Sequence, residues 1–358
     1  MKRKLLYIVE AMGGGVFTYI VGLTNELVDY FEIYIAYAVR PQTPIDFRDK
    51  FDKRIHFIEV KNFTRSISLT KDIKAFFEIR KIAGNIKPDI IHLHSSKAGV
   101  IGRWAFDGKK TPLFYTPHGY SFLMTNYSLL KRMAFRFIET VSAKRNCMVI
   151  SCSEGEHHET LKLTVNATYV ENGINTKELQ VLMDRNRNLE IKDEQFTIFT
   201  LGRICYQKNP KLFNQIAEAM PDVKFVWIGD GEMKKELKAS NIEITGWKER
   251  EEAVKNSLQA HVFMLTSLWE GLPMSLLEAM YMKKICIVSD VIGNRDVVKN
   301  GANGFLCDCL DDYVKAIRIA KESGCKELVE DAFSNVKTKY NTIIMAEQYR
   351  KIYNSKIR

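Results

Sequence analysis

Two consecutive Rossmann-like α/β halves are predicted by three features of the 358-residue sequence. Short apolar runs alternate with longer amphipathic stretches from end to end; the alternation starts afresh near Phe196; and the length exceeds a single compact core at roughly 150 residues per domain. Alternating strand and helix implies right-handed crossovers and parallel sheets with helices on both faces.

Taken in order, "KLLYIVE", "EIYIAYAV", "IHFIEV", "DIIHLH", "PLFYTPHG" and "CMVISCS" are the predicted strands of the first half. "FTIFTLGR", "KFVWIGDG", "IEITGW", "AHVFMLTS" and "KICIVSD" are those of the second. Helical patterns such as "TRSISLTKDIKAFFEIRKIAGNI" and "NPKLFNQIAEAM" lie between them. The polar, helix-like "NTKELQVLMDRNRNLEIKDEQ" places the junction at about residues 173 to 195. The final "NTIIMAEQYRKIYNSKIR" is amphipathic and is expected to fold back onto the first half. The predicted domains are therefore 1–172 plus about 340–358, and 173–339.

With 46% hydrophobic and 27% charged residues the composition is that of an ordinary globular protein. Leu5 to Val9 is too short a run for a signal sequence or a membrane span and suits a first buried strand. Seven scattered cysteines suit a reducing compartment, and Cys307-Asp308-Cys309 lacks the CxxC spacing of zinc or redox sites. The formal charge of +10 is concentrated: Lys61 to Arg145 carries 16 Lys/Arg against 5 Asp/Glu, a net +11. Such a segment suits an anionic partner, whether nucleic acid, acidic membrane surface or phosphorylated substrate, or else a solvated basic face.

Open parallel sheets bind ligands beyond the carboxyl ends of their strands, so residues that follow strands are the candidates for a cleft. In "WEGLPMSLLEAM", Pro273 suits the first turn of a helix and Gly271 permits close backbone approach. Amides around Leu272, Met274 and Ser275 would form an anion site at that helix start. Glu278 falls in the second turn, and a carboxylate accepts the two hydroxyl donors of a ribose diol together. Glu270, before the break, could do the same for a hexose. In "TLGRICYQKNP", Arg203 and Lys208 share a strand-to-helix loop, a fork and a point charge suited to a diphosphate.

"AMGGGVFTYI" puts Gly14 and Gly15 after strand one, but without the dinucleotide G-x-G-x-x-G or the Gly-Lys-Ser/Thr of a Walker loop. His118 in "YTPHGYSF" and His94 in "IHLHSSKAG" follow first-half strands. "WIGDGE" with Gly229 is a tight turn of low specificity. Trp247 in "TGW" offers a flat surface for a nucleobase or, equally, a core residue.

In this order, the glycine loop, "HLHSSKAG", "TPHG", "VENGIN", "GR" with Lys208 and the Glu-x7-Glu pair resemble a family 4 retaining glycosyltransferase of the GT-B fold and polysaccharide-biosynthesis type. The resemblance covers nearly the whole chain. It implies an acceptor-side first domain and a second domain that binds the nucleotide-sugar donor. By the same resemblance Arg203 and Lys208 hold the donor diphosphate and Glu278 the ribose hydroxyls. Glu270 contacts the donor sugar, Gly14 and Gly15 approach the phosphate, and the carbonyl of His118 faces the anomeric centre. His118 and Glu270 are the catalytic candidates.

The implied reaction moves a hexosyl unit from a nucleotide-sugar, UDP being the commonest carrier, to a saccharide or polyprenyl-diphosphate-linked saccharide, with no cofactor and no metal. The adjacent aspartates of "LDDYV" do not form an Asp-x-Asp site. The basic stretch "SFLMTNYSLLKRMAFRFIETVSAKRN" interleaves apolar residues with Lys131, Arg132, Arg136, Lys144 and Arg145, which suits a helix lying on anionic lipid or, alternatively, one packed on the sheet with snorkelling cations. The expected location is cytoplasmic, with peripheral attachment at the inner face of the cell membrane through that segment. Competing expectations are a sugar-nucleotide epimerase of the same fold and a basic nucleic-acid-binding module. The latter is disfavoured because no RRM, KH or helix-turn-helix signature is present, and nucleic acid is not the expected partner.

Overall fold

A computed structural model describes residues 2–10, 12–40, 43–64, 66–187 and 195–356. Part of the expected junction, 188–194, and the last two residues of the final amphipathic stretch lie outside the described residues. The chain divides into two compact units: Met1–Leu123 with Tyr127–Gly173 and Thr342–Arg358, and Ile174–Asn341 with Met124–Asn126.

The first unit runs β1 (Arg3–Val9), α1 (Gly14–Leu27), β2 (Phe31–Tyr37), β3 (His56–Glu59), α2 (Leu69–Ile86), β4 (Ile90–His94), α3 (Ser96–Ala105), β5 (Leu113–Thr116), α4 (Leu129–Ala143), β6 (Met148–Ser151), α5 (Glu154–Leu161) and β7 (Ala167–Tyr169). Its seven strands lie in the order β3-β2-β1-β4-β5-β6-β7, all parallel. The strands read as continuous apolar runs because both faces are covered. Side chains alternate across the pleat, so Leu5, Tyr7 and Val9 enter one core while Leu6 and Ile8 enter the other.

In the second unit follow α6 (Thr176–Arg185), β8 (Thr197–Leu201), α7 (Pro210–Ala219), β9 (Lys224–Ile228), β10 (Ile242–Gly246), α8 (Arg250–Leu258), β11 (Val262–Leu265), α9 (Met274–Tyr281), β12 (Ile285–Ser289), α10 (Asn294–Val297), β13 (Phe305–Cys307), α11 (Leu310–Ser323) and α12 (Lys326–Thr338). The sheet order is β10-β9-β8-β11-β12-β13, again all parallel. Trp227, Phe213, Met264 and Tyr313 anchor its core. Cys307 ends β13 and Cys309 caps α11, so the Cys-Asp-Cys spacing is that of a strand-to-helix turn. Each sheet holds one strand beyond the sequence expectation, β7 and β13. Both are three-residue edge strands, too short to show a period.

The chain closes with α13 (Thr342–Lys356), which packs on α1 in the first unit. Tyr349 and Tyr353 on α13 are fully buried. The Tyr19 hydroxyl donates to that of Tyr349 at 2.6 Å, and the hydroxyls of Tyr7 and Tyr353 lie 3.1 Å apart. No described helix is long and apolar enough to cross a membrane.

Candidate active site

Each sheet reverses its strand order at one point, between β1 and β4 in the first unit and between β8 and β11 in the second. Loops leaving neighbouring strands in opposite directions open a crevice there. In the second unit these are the loop after β8, carrying Arg203 and Lys208, and the loop after β11, carrying Glu270. They are stitched together: Leu268 N–H donates to the Gln207 carbonyl at 2.8 Å, and the Thr266 hydroxyl to the Lys208 carbonyl at 2.7 Å.

Lys208 Nζ meets Glu270 Oε1 at 2.6 Å, with both side chains largely buried. Ser267 Oγ also donates to Oε1 at 2.6 Å, and Gln207 Nε2 reaches Oε2 at 3.3 Å. These bonds offset the cost of burying the carboxylate and fix its direction. Glu270 is thus no solvent-facing surface glutamate. Arg203 does not join this cluster; its Nε donates to Glu232 Oε2 at 3.0 Å, where both side chains retain solvent. An exposed pair of that kind contributes little, so a phosphate can replace the carboxylate at small cost.

Gly271, Leu272 and Pro273 lead into α9. Pro273 is the residue that caps α9 rather than its first helical residue, and its carbonyl accepts from Leu276 and Leu277. The amides of Met274 and Ser275 lie ahead of those first intrahelical bonds, so they remain available to an anion. A Cβ on Gly293 would collide with the Gly271 carbonyl, so the loop after β12 presses against this turn. Glu278 is buried in the second turn of α9 and pairs at 2.8 Å with Nη1 of Arg250. The Glu278 charge is the chief reason the Arg250 guanidinium binds its proton more tightly than usual. Glu178 holds the other side of that guanidinium at 3.4 Å.

Gly229 has a packing reason of its own, since a Cβ there would strike the Gly202 carbonyl. Trp247 is not a core residue: it is 62% exposed, just past a bulge at the end of β10 and three residues before Arg250. Four contributors escaped the sequence: Arg250, Glu232, Ser267 and Gln207. Glu232 ends the quoted "WIGDGE" turn, while Arg250, the last residue of "TGWKER", gave no signal beyond its position after a strand.

In the first unit Gly14 opens α1 with φ +58, and a Cβ on Gly14 or Gly15 would meet no heavy atom within 4 Å. Packing therefore does not demand these glycines, although the left-handed φ of Gly14 favours one. His118 adopts φ +56, and the neighbouring Gly119 N–H donates to Glu156 Oε1 at 2.6 Å. Its Nε2 lies 3.0 Å from Nδ1 of His94. Burial depresses the His118 imidazole to about 3 and holds His94 well below the ordinary histidine range. Among the described residues no three His, Cys, Asp or Glu side chains gather as a metal site.

Two family models divide the chain between them. "Glycosyltransferase Family 4" matches residues 13–178 and "Glycosyl transferases group 1" matches 184–339. The chain belongs to glycosyltransferase family 4. It is a transferase with two parallel-sheet, Rossmann-like domains of the GT-B type. This family 4 transferase is 28% identical to an Escherichia coli UDP-Gal:alpha-D-GlcNAc-diphosphoundecaprenol alpha-1,3-galactosyltransferase, the match covering 85% of each chain. It is 25% identical, over 92% of each chain, to a Campylobacter jejuni alpha-1,4-N-acetyl-D-galactosaminyltransferase whose named acceptor is a diphosphoundecaprenol-linked saccharide. Among solved structures, sucrose-phosphate synthase from Thermosynechococcus elongatus superposes with a TM-score of 0.83 at 16% identity, covering 99% of both chains. Anabaena HepE in complex with UDP and glucose gives 0.79 at 16% identity, covering 99% of this chain and 100% of that one. At such identities the likeness is one of fold.

Proposed function

We propose that the protein transfers a hexosyl unit from a UDP-sugar, with retention of anomeric configuration and without a metal, to a polyprenyl-diphosphate-linked saccharide during polysaccharide synthesis. The observation that carries this reading is the buried Lys208–Glu270 pair beside the amides that open α9, at the switch point of the second sheet. Positive groups and a sugar-binding carboxylate are adjacent there, as a sugar diphosphate requires. The E. coli relative is named for a UDP-Gal donor and a diphosphoundecaprenol-linked acceptor, which supports both choices.

The chemistry follows from charge. As the bond from the anomeric carbon to the diphosphate oxygen breaks, negative charge grows on the phosphates and positive charge on the sugar ring. Lys208, Arg203 and the amides of Met274 and Ser275 stabilise the first, and they need no further reorganisation once the bound diphosphate has displaced Glu232 from Arg203 and drawn Lys208 from Glu270. The family resemblance assigns the backbone carbonyl of His118 to the second. An acceptor hydroxyl attacks from the side the diphosphate leaves, forming the new C–O bond and passing its proton to a departing phosphate oxygen. No protein nucleophile is required. Glu270 orients the sugar through its hydroxyls, and Glu278 accepts from the ribose diol while Arg250 holds it in place.

Acceptors of this kind reside in a bilayer, and α4 is built to meet one. Its inner face packs Phe135 on the core and buries a charge: Glu139 meets Arg103 at 2.6 Å and accepts from the Tyr115 hydroxyl at 3.1 Å. Its outer face carries exposed Leu129, Leu130, Met133 and Phe137 among Lys131 and Arg136, whereas Arg132 turns inward to donate to the Phe122 carbonyl at 2.9 Å. An anionic lipid surface matches that mixture, which suits peripheral attachment at the inner face of the cell membrane.

The test is a thermal-shift and turnover screen of UDP-, GDP- and ADP-sugars with a diphosphoundecaprenol-linked saccharide. One nucleotide should stabilise the protein and its sugar should appear on the lipid with unchanged anomeric configuration, in the presence of chelator. Wild type should prefer UDP over 2′-deoxy-UDP by about 10- to 100-fold, the worth of hydrogen bonds to a charged group, and Glu278→Ala should abolish that preference. If no nucleotide stabilises folded protein, the donor reading fails.

A further inference from the structure

Behind His118 lies a column of imidazoles. His92 and His94 occupy alternate positions at the end of β4, so both project from one face of the sheet, and neither is exposed. Their ring centroids are 4.1 Å apart, and those of His94 and His118 are 5.3 Å apart with the planes nearly parallel. His92 is fully partnered: Nδ1 lies 2.6 Å from the Tyr353 hydroxyl and Nε2 2.9 Å from Thr116 Oγ1. His94 is not. Its Nδ1 meets Nε2 of His118 at 3.0 Å, and its Nε2 is buried with no hydrogen-bond partner among the described residues.

That asymmetry settles where the protons sit. Burial keeps both rings neutral, so a single proton lies in the contact between them. If His118 donated it, His94 would have to carry its own proton on Nε2, leaving a buried N–H with nothing to accept it. If His94 donates from Nδ1, its Nε2 is left with only a bare lone pair. Orphaned buried donors are rarer and costlier than under-used acceptors. The proton therefore belongs to His94, and the His118 proton belongs on Nδ1. No protein group bonds to Nδ1 of His118 among the described residues, and it is not one of the buried unpartnered atoms. The loop that presents it is clamped by Gly119 N–H on Glu156, and the Tyr19 ring stands edge-on to the imidazole at 4.6 Å.

We infer that His94 is a positioning residue which fixes His118 as the Nδ1–H tautomer, so that His118 offers a hydrogen-bond donor to a hydroxyl oxygen of the substrate sugar. The inference rests on the reading of His118 as a sugar-facing residue. It gives that residue a side-chain role distinct from that of its carbonyl, one that depends on a residue behind it. An imidazole free to exchange tautomers would also present a lone pair from Nδ1, and a sugar oxygen would then meet an acceptor.

Nitrogen-15 NMR of the full chain, with signals assigned through His118→Gln, reads the tautomer directly. Wild type should show a protonated Nδ1 and an unprotonated Nε2 at His118. His94→Asn keeps a donor where Nδ1 stood and should preserve that state; His94→Phe keeps the ring contact with Tyr7 but no donor and should lose it. In turnover, His94→Phe should lower kcat about 10- to 100-fold with little change in donor KM, as losses of such supporting partners do, while His94→Asn recovers most of it. A wild-type His118 protonated on Nε2 overturns the inference whatever the donor proves to be, even should both variants fail to fold. Equal kcat in the three proteins overturns the link to the reaction. A failed nucleotide screen, by contrast, removes the donor reading and leaves the tautomer assignment intact.

Discussion

Lys208 and Glu270 show how a residue-scale contact stores a binding site. Without donor, the lysine neutralises the buried carboxylate; with donor, it is expected to turn to phosphate while Ser267 and Gln207 retain the glutamate. Lys208→Met should weaken nucleoside-diphosphate binding by about 2–3 kcal/mol, roughly 30- to 150-fold, by calorimetry. It should also lower the urea midpoint, because Glu270 is left uncompensated; adding Glu270→Gln should restore the midpoint but not the binding. The histidine column makes a second expectation. Burial holds His92 and His94 well below the usual value of 6.5, so below that value the unfolded chain binds protons that the folded chain refuses. Stability is full above about pH 6.5 and falls as the pH drops, by up to about 1.4 kcal/mol per unit for each buried histidine. Urea titrations between about pH 7.5 and pH 5 should show that slope, shallower in His94→Phe. A slope unchanged by the substitution would count against it.

At the scale of elements, the sequence displayed what periodicity can display. Continuous apolar runs such as "KLLYIV" and "ICIVS" announced central parallel strands, while "ATY" and "FLC" were invisible at three residues each. The Gly-Leu-Pro break marked the start of α9 to within one residue because proline can cap or open a helix but not interrupt it. The partners of the quoted site residues were harder to see. Arg250 reaches Glu278 from another strand's loop, a distance in sequence no local pattern encodes. Helix α4 shows the opposite limit: its amphipathicity was legible, but which side faces inward depends on Arg103 finding Glu139. Because Leu130 and Phe137 lie on the exposed side, substituting them should not unfold the unit. Leu130→Asp with Phe137→Asp should cut flotation with anionic liposomes about tenfold or more while leaving nucleotide binding intact. Added salt should weaken the wild-type association in the same assay.

On the molecular scale, the first unit is assembled from three separate stretches of chain, the last being Thr342–Arg358. Tyr349 and Tyr353 fill its core and complete the hydrogen bonds of Tyr7, Tyr19 and His92. Truncation after Asn341 should therefore leave these groups buried without partners or open to water, and the product should be insoluble or bind a hydrophobic dye. A separate Ile174–Asn341 fragment would show whether the second unit keeps its nucleotide site alone, by the same thermal shift.

The position of α13 also bears on how the protein is made. A ribosome delivers the first unit's strands early but withholds α13, which with α1 covers one face of their sheet, until the whole second unit has been translated. The second unit, whose strands all lie in one stretch of chain, can be finished sooner, reversing the usual amino-to-carboxyl order of folding. Until α13 follows, the nascent amino-terminal sheet carries a half-covered apolar face, and chaperones that attend growing chains are expected to cling to it longest.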